Sequence, residues 1–293
     1  MNTTTVCGPR GFWGAAPTRF FVMFVVLVLA YAGGQIALLT LAARPPVALR
    51  AALSLAAAPL LCAILLGLYL GLVRLLERRR RYPELASRRA LGLTLAGLMV
   101  GVTLFCAVYA VLWAFGAARF DGVNGLAGAA MPLAMAALAG VGEELIFRGV
   151  VFRIVEESCG SLVALIVSAA LFGLVHLSAP GATALSTLAI ALEAGGLLAA
   201  AYLLTRSLWF PIGLHIGWNF TEGGVFGSAV SGHGAHGILK ASLNGPAAMT
   251  GGGFGPEASP AAVAVCLVAA LLFLAIAIAR GQWKPFVLRL YPR

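Results

Sequence analysis

Apolar positions along the chain gather into long runs rather than alternating. Each run, at about 20 residues, is long enough to cross a hydrocarbon core of about 30 Å as one helix. The runs fall at 20–41, 51–73, 91–115, 126–147, 161–177, 182–204, 208–230 and 259–279. They predict an all-α fold, a polytopic membrane helix bundle of about eight transmembrane helices. The fifth run is short for a perpendicular span. The fourth continues as Val150 to Glu157, where the mixed pattern predicts an amphipathic extension at the membrane interface. Inside the first run, Ala30-Tyr31-Ala32 has the small residues of a leader-peptide cleavage site. Apolar residues continue past it to Leu41, which predicts an uncleaved first span.

Composition strengthens this reading. The chain is 61% hydrophobic and 10% charged, with a mean hydropathy of +0.98, against about 45–50% apolar and about 25% charged for an ordinary soluble domain. The net charge of +10 does not point to nucleic acid, because the basic residues are neither spread along one face nor interleaved with aromatics. Their placement is topological. With the N-terminus inside, all of the 20 Lys and Arg residues except Arg44, Arg50, Arg119 and Lys240 fall on the cytoplasmic side. This predicts an integral protein of a bacterial inner (plasma) membrane, N-in and C-in. The run Arg78 to Arg81 fits the same role, as part of a basic cytoplasmic loop at 74–89.

Three regions follow. Residues 1–125 form N-terminal scaffold spans, residues 126–231 a core that carries the buried charge, and residues 232–293 a glycine-rich external loop, a last span and a basic tail. The pairs Gly67 with Gly71 and Gly97 with Gly101 permit close helix approach and predict packing within the chain. Cys7, Cys62, Cys106, Cys159 and Cys266 are dispersed, without metal-ligand or redox spacing, and read as packing residues. His233 and His236 lie in the external loop with no nearby Cys or carboxylate, so that loop is expected to be mobile rather than metal-binding.

Against this background the stretch Glu143-Glu144-Leu145-Ile146-Phe147-Arg148 stands out. A carboxylate at the centre of a membrane helix costs roughly 2.5–3.5 kcal/mol on insertion scales, so two in succession imply a function. Glu144 and Arg148 stand one helical turn apart and can pair, whereas Glu143 is rotated by about 100° and must face another polar group. Candidates are His176, ending Phe172-Gly173-Leu174-Val175-His176, and His215 with Asn219 and Glu222, whose spacing puts them on one helix face. At about 1.5 Å per residue, Glu143, His176 and His215 lie roughly 15, 21 and 10 Å from the basic side, depths compatible with one site. Glu193 and Glu222 read as structural acids satisfied by a neighbouring Ser, Thr, Trp or backbone group. Tyr202 and Trp218 read as packing and interface residues.

A double Glu with Arg four after the second, then Phe-x-x-x-His, then His-x-x-x-Asn resembles the three motifs of the CPBP family of intramembrane endopeptidases. That family, also called Abi, takes its name from CAAX prenyl proteases and bacteriocin-processing proteins. The resemblance runs from about Met131 to about Ser231 and includes Leu208-Trp209-Phe210-Pro211-Ile212. It implies hydrolysis of a membrane-associated protein or peptide, with Glu143 and His176 activating water and His215 and Asn219 supporting the oxyanion. Glu144 belongs to the catalytic set, and Arg148 and Phe172 orient it. No metal is favoured, because the His-Glu-x-x-His helix of zinc proteases is absent. A Zn2+ version with Glu143, His176 and His215 as ligands stays open, since relatives are described both ways. The substrate is open too: some relatives cut prenylated CAAX tails, others process peptides or regulate membrane partners. A non-proteolytic scaffold or ion-coupled transporter is the alternative class, although no internal repeat supports a transporter and every motif position is filled. The expected partners are the lipid bilayer and the peptide substrate. No signal fixes an oligomeric state.

Overall fold

The computed structural model describes residues 15–43 and 46–288. Cys7, Arg10, Arg44, Arg289 and Arg293, all used above, lie outside the described residues. Helices dominate: α1 (Ala16–Ala43), α2 (Val47–Leu76), α3 (Ala90–Ala114), α4 (Ala130–Glu144), α5 (Arg153–Cys159), α6 (Ser161–Val175), α7 (Ala184–Ile190), α8 (Leu197–Thr205), α9 (Trp209–Asn219), α10 (Ala247–Thr250) and α11 (Pro260–Ala279). Three π-helical stretches continue them: Leu145–Phe152 between α4 and α5, Ala191–Gly196 between α7 and α8, and Phe220–Phe226 after α9. Two strands, β1 (Ala118–Val123) and β2 (Leu239–Leu243), pair antiparallel.

Among the described residues seven helical segments are long and apolar enough to cross a membrane, and the chain is an integral membrane protein with an all-α bundle. The expected seventh run, 208–230, is not among the seven. It forms a helix that ends at Phe226, where Gly227 turns left-handed at φ 73°. Pro211, His215, Asn219 and Glu222 make it too polar to stand alone in lipid, and it is sheathed by neighbours instead. α1 runs without a break through Ala30-Tyr31-Ala32. The Val150–Glu157 stretch continues the fourth segment, which extends from Leu126 to Cys159, and Val150, Val151 and Phe152 are fully buried.

α3 and α9 pack backbone to backbone. A Cβ on Gly97 or Gly101 would lie 2.1 Å from the carbonyl oxygen of Phe210 or Leu214, and one on Gly213 or Gly217 would meet Thr94 or Leu98. This interlock fixes the helix that carries His215 and Asn219. Gly67 and Gly71 have nothing within 4 Å of such a Cβ, so they are not a packing seam within the described chain.

At one face an ionic cluster ties the helix ends together. Glu77 accepts from Arg153 at 2.6 Å and Arg79 at 2.7 Å, with Arg19 at 3.4 Å, while Glu156 binds Arg206 at 2.5 Å and Lys284 at 2.9 Å. Arg148 does not join this basic face: it is completely buried, so its charge is spent inside the bundle rather than on topology. The opposite face carries β1, β2 and the glycine-rich segment, which is folded rather than the mobile loop expected. Gly232 N–H donates to Phe254 O at 2.6 Å, and Phe254 is 1% exposed.

Candidate active site

Glu144 and Arg148 pair as their spacing requires. Arg148 Nη1 donates to Glu144 Oε1 at 2.8 Å, and both side chains are fully buried. The second terminal nitrogen of the guanidinium is also engaged. Nη2 donates to Ala194 O at 3.1 Å and Gly195 O at 3.0 Å, and the group lies 4.9 Å from the centre of the Phe172 ring. One cation thus locks the π-helical turn after Glu144 to the π-helical stretch between α7 and α8. Wide turns of this kind re-aim side chains, and they recur at functional positions.

Glu144 Oε1 also accepts from His215 Nδ1 at 3.1 Å. That bond places the Nδ1 proton and leaves Nε2 directed at Glu143 Oε2, 3.8 Å away. Glu143 is held from its other side, where Tyr31 Oη donates to Oε1 at 2.6 Å and Gln35 Nε2 donates to Tyr31 Oη at 2.7 Å. Glu143 Oε2 is buried without a hydrogen-bond partner.

His176 closes α6. Its Nδ1 donates to Phe172 O at 2.7 Å, and the two rings lie 4.8 Å apart. Nδ1 is therefore committed and Nε2 is the free nitrogen. Glu143, Phe172, His176, His215 and Asn219 all line a single small cavity. Glu144 and Arg148 lie behind this wall. Glu143 and His176 both face the cavity, and no hydrogen bond joins them.

Several lining groups had no sequence signal or a different one. Tyr31 belongs to a segment read as scaffold, although the Tyr31–Gln35 pair in an apolar run was a readable polar seam. Trp218 lines the cavity while packing edge-on against Phe105 at 4.8 Å. Glu222 follows His215 and Asn219 within the π-helical stretch Phe220–Phe226, fully buried, and is not among the cavity-lining residues. Glu222 meets the Glu257 backbone, one of the partner types expected, whereas Glu193 meets a thiol. Glu193 Oε2 accepts from Cys266 Sγ at 3.3 Å, so Cys266 does more than fill space, and Glu222 meets the carboxyl of Glu257. Glu257 and Ser231 come from the far-face segment and also line the cavity. Burial pushes the Glu257 carboxyl above the usual range, and His176 and the Ser231 amide act in the opposite direction.

Residues 125–221 match the model of a family described as type II CAAX prenyl endopeptidase Rce1-like. This segment is Rce1-like. The match spans Glu143, Glu144, Arg148, Phe172, His176, His215 and Asn219 and agrees with the three-motif resemblance to CAAX proteases. No curated protein and no solved structure matches the chain. Residues of the Rce1-like segment supply most of the cavity wall, and Ser231 and Glu257 complete it from beyond the matched region.

Among the described residues no three His, Cys, Asp or Glu side chains are grouped as a metal site. The donor types suit zinc: Nδ1 of each His is held by an oxygen, which leaves Nε2 of His176 and His215, with Glu143 Oε2, as the atoms that would hold it.

Proposed function

We propose that this protein is an intramembrane endopeptidase of CAAX-protease type that hydrolyses a peptide bond by water activated at Glu143. The observation carrying this reading is the convergence of Glu143, His176, His215 and Asn219 on one cavity. The Rce1-like match supports the reaction class.

Water held between Glu143 Oε2 and His176 Nε2 gives up a proton to the carboxylate as its oxygen adds to the peptide carbonyl. The negative charge then forms on the carbonyl oxygen. Asn219 and the protonated His215 ring donate N–H groups to it, a stabilisation that acts most strongly in a site shielded from water. Glu143 returns the proton to the departing amine, so the residues end as they began. Tyr31 keeps Glu143 in place throughout, and Glu144 keeps His215 in place. The substrate class is a protein or peptide held at the membrane, and the prenylated CAAX tail in the family description is the natural probe.

The test is cleavage of an internally quenched peptide with a farnesylated CAAX tail by the full chain reconstituted in lipid. His176→Ala and His215→Ala are each expected to lower the rate by a factor of roughly 100 or more, with the thermal melt close to wild type. Wild-type rates in both variants contradict the proposal. The unprenylated twin of the peptide shows whether the lipid group is required.

A further inference from the structure

We propose that Gln35, in the first span, is a positioning residue that acts through Tyr31 to fix which oxygen of Glu143 takes the proton from water. The inference rests on the proposed hydrolysis and places part of the site's control outside the Rce1-like segment, which begins at residue 125.

From Phe20 to Leu39 only Tyr31 and Gln35 carry a nitrogen or oxygen in the side chain. Polar groups inside membrane spans are expensive and mark functional positions. The two residues stand four apart in α1, so both project from one helix face, and one relay of hydrogen bonds joins them to α4. Gln35 Nε2 donates to Tyr31 Oη at 2.7 Å, and Tyr31 Oη donates to Glu143 Oε1 at 2.6 Å. Gly142 makes this approach possible, because a Cβ there would lie 2.4 Å from Tyr31 Cδ2. The phenol ring therefore lies against the residue immediately before the catalytic glutamate.

The direction of the relay follows from its protons. A carboxylate ready to act as a base only accepts, so the single hydroxyl proton of Tyr31 points to Glu143. With that proton committed, the phenol oxygen can only accept from Gln35, which turns the amide N–H toward it. The two bonds polarise each other in the same sense, so the outer one strengthens the inner one. Without the Gln35 donor, nothing holds the phenol oxygen from its other side, and the hydroxyl is free to turn from Oε1. With Oε1 occupied, the basic lone pair is left on Oε2, which is buried without a partner and 3.8 Å from His215 Nε2. The proton taken from water then rests on Oε2, where the departing amine can collect it. A displacement of about 1 Å at a reacting group can cost on the order of a hundredfold in rate, so the hold on this carboxylate governs turnover.

The experiment measures kcat, KM and the thermal melt in lipid, with the farnesylated peptide, for wild type, Tyr31→Phe, Gln35→Leu and the double variant. Tyr31→Phe is expected to lower kcat by about tenfold to a hundredfold and Gln35→Leu by about three- to tenfold, each with KM within about twofold of wild type. Because Gln35 acts only through the hydroxyl, the double variant is expected to match Tyr31→Phe within about twofold. If Gln35→Leu does not fold, Gln35→Met, of similar length and without a donor, gives the same reading. Wild-type kcat in the folded Gln35 variant overturns the inference, as does a double variant whose loss is the product of the two single losses. A bond that served only to hold α1 against α4 would give the first of these results, together with a lowered melt. Failure of the hydrolase reading looks different. In that case wild type does not cleave, or Glu143→Gln cleaves as well as wild type, and the inference falls with it.

Discussion

Replacing Glu143 by Gln is expected to lower peptide cleavage by roughly a hundred- to ten-thousand-fold, the usual contribution of a positioned general base. The substitution keeps side-chain volume, and the amide oxygen still accepts the Tyr31 hydroxyl that now bonds Glu143 Oε1 at 2.6 Å. What it removes is the proton acceptor at Oε2, the atom left without a partner in the wall of the cavity. Thermal melts of wild type and Glu143→Gln in the same lipid should therefore agree, and the variant should still bind peptide. Cleavage at the wild-type rate would remove Glu143 from the chemistry.

Arg148→Ala is expected to damage the fold as well as the reaction. The guanidinium neutralises Glu144, bonds two carbonyls of the neighbouring π-helical stretch and covers the Phe172 ring, all in full burial. Removing one partner of a buried ion pair strands the other charge at a cost of about 3–5 kcal/mol. The melting temperature and folded yield should fall accordingly. Glu144→Gln with Arg148→Gln removes both charges together and should recover part of the stability. Recovery is incomplete because the carbonyls of Ala194 and Gly195 lose their shared donor. Activity should recover less, since His215 Nδ1 then faces an amide in place of the carboxylate that orients it. Melts and rates of both single variants and the double form a cycle that separates pairing from orientation. If Arg148→Ala melts like wild type yet does not cleave, Arg148 acts on the substrate directly and the structural role assigned here is wrong.

These two residues also show what is legible in the chain. The Glu144–Arg148 pair follows from one helical turn of spacing, and the apolar runs mark most helices because lipid requires length and hydrophobicity together. Contacts between distant segments leave no such local mark. Tyr31 and Glu143 are 112 positions apart, and nothing periodic joins them. Glu257 lies in a glycine-rich stretch that looks like a loose connection, and only its folding against Ser231 carries the carboxyl inward. The run 208–230 reads as a lipid span by its length, yet its polar residues require a protein sheath, which the interlock of Gly97 and Gly101 with its backbone provides. The pairing of β1 with β2 leaves no clear mark in the sequence, because two short strands on an outer face carry too little pattern to stand out beside the spans.

The central claim, hydrolysis by water activated at Glu143 without a metal, is tested most directly by one measurement. Wild-type protein in lipid, stripped with a strong chelator, is given the farnesylated CAAX peptide in water enriched in oxygen-18, and the products are weighed by mass spectrometry. The account predicts cleavage at one peptide bond at the unchelated rate, with a single heavy oxygen in the new carboxyl group. Loss of cleavage on chelation that is restored by added Zn2+ would contradict it.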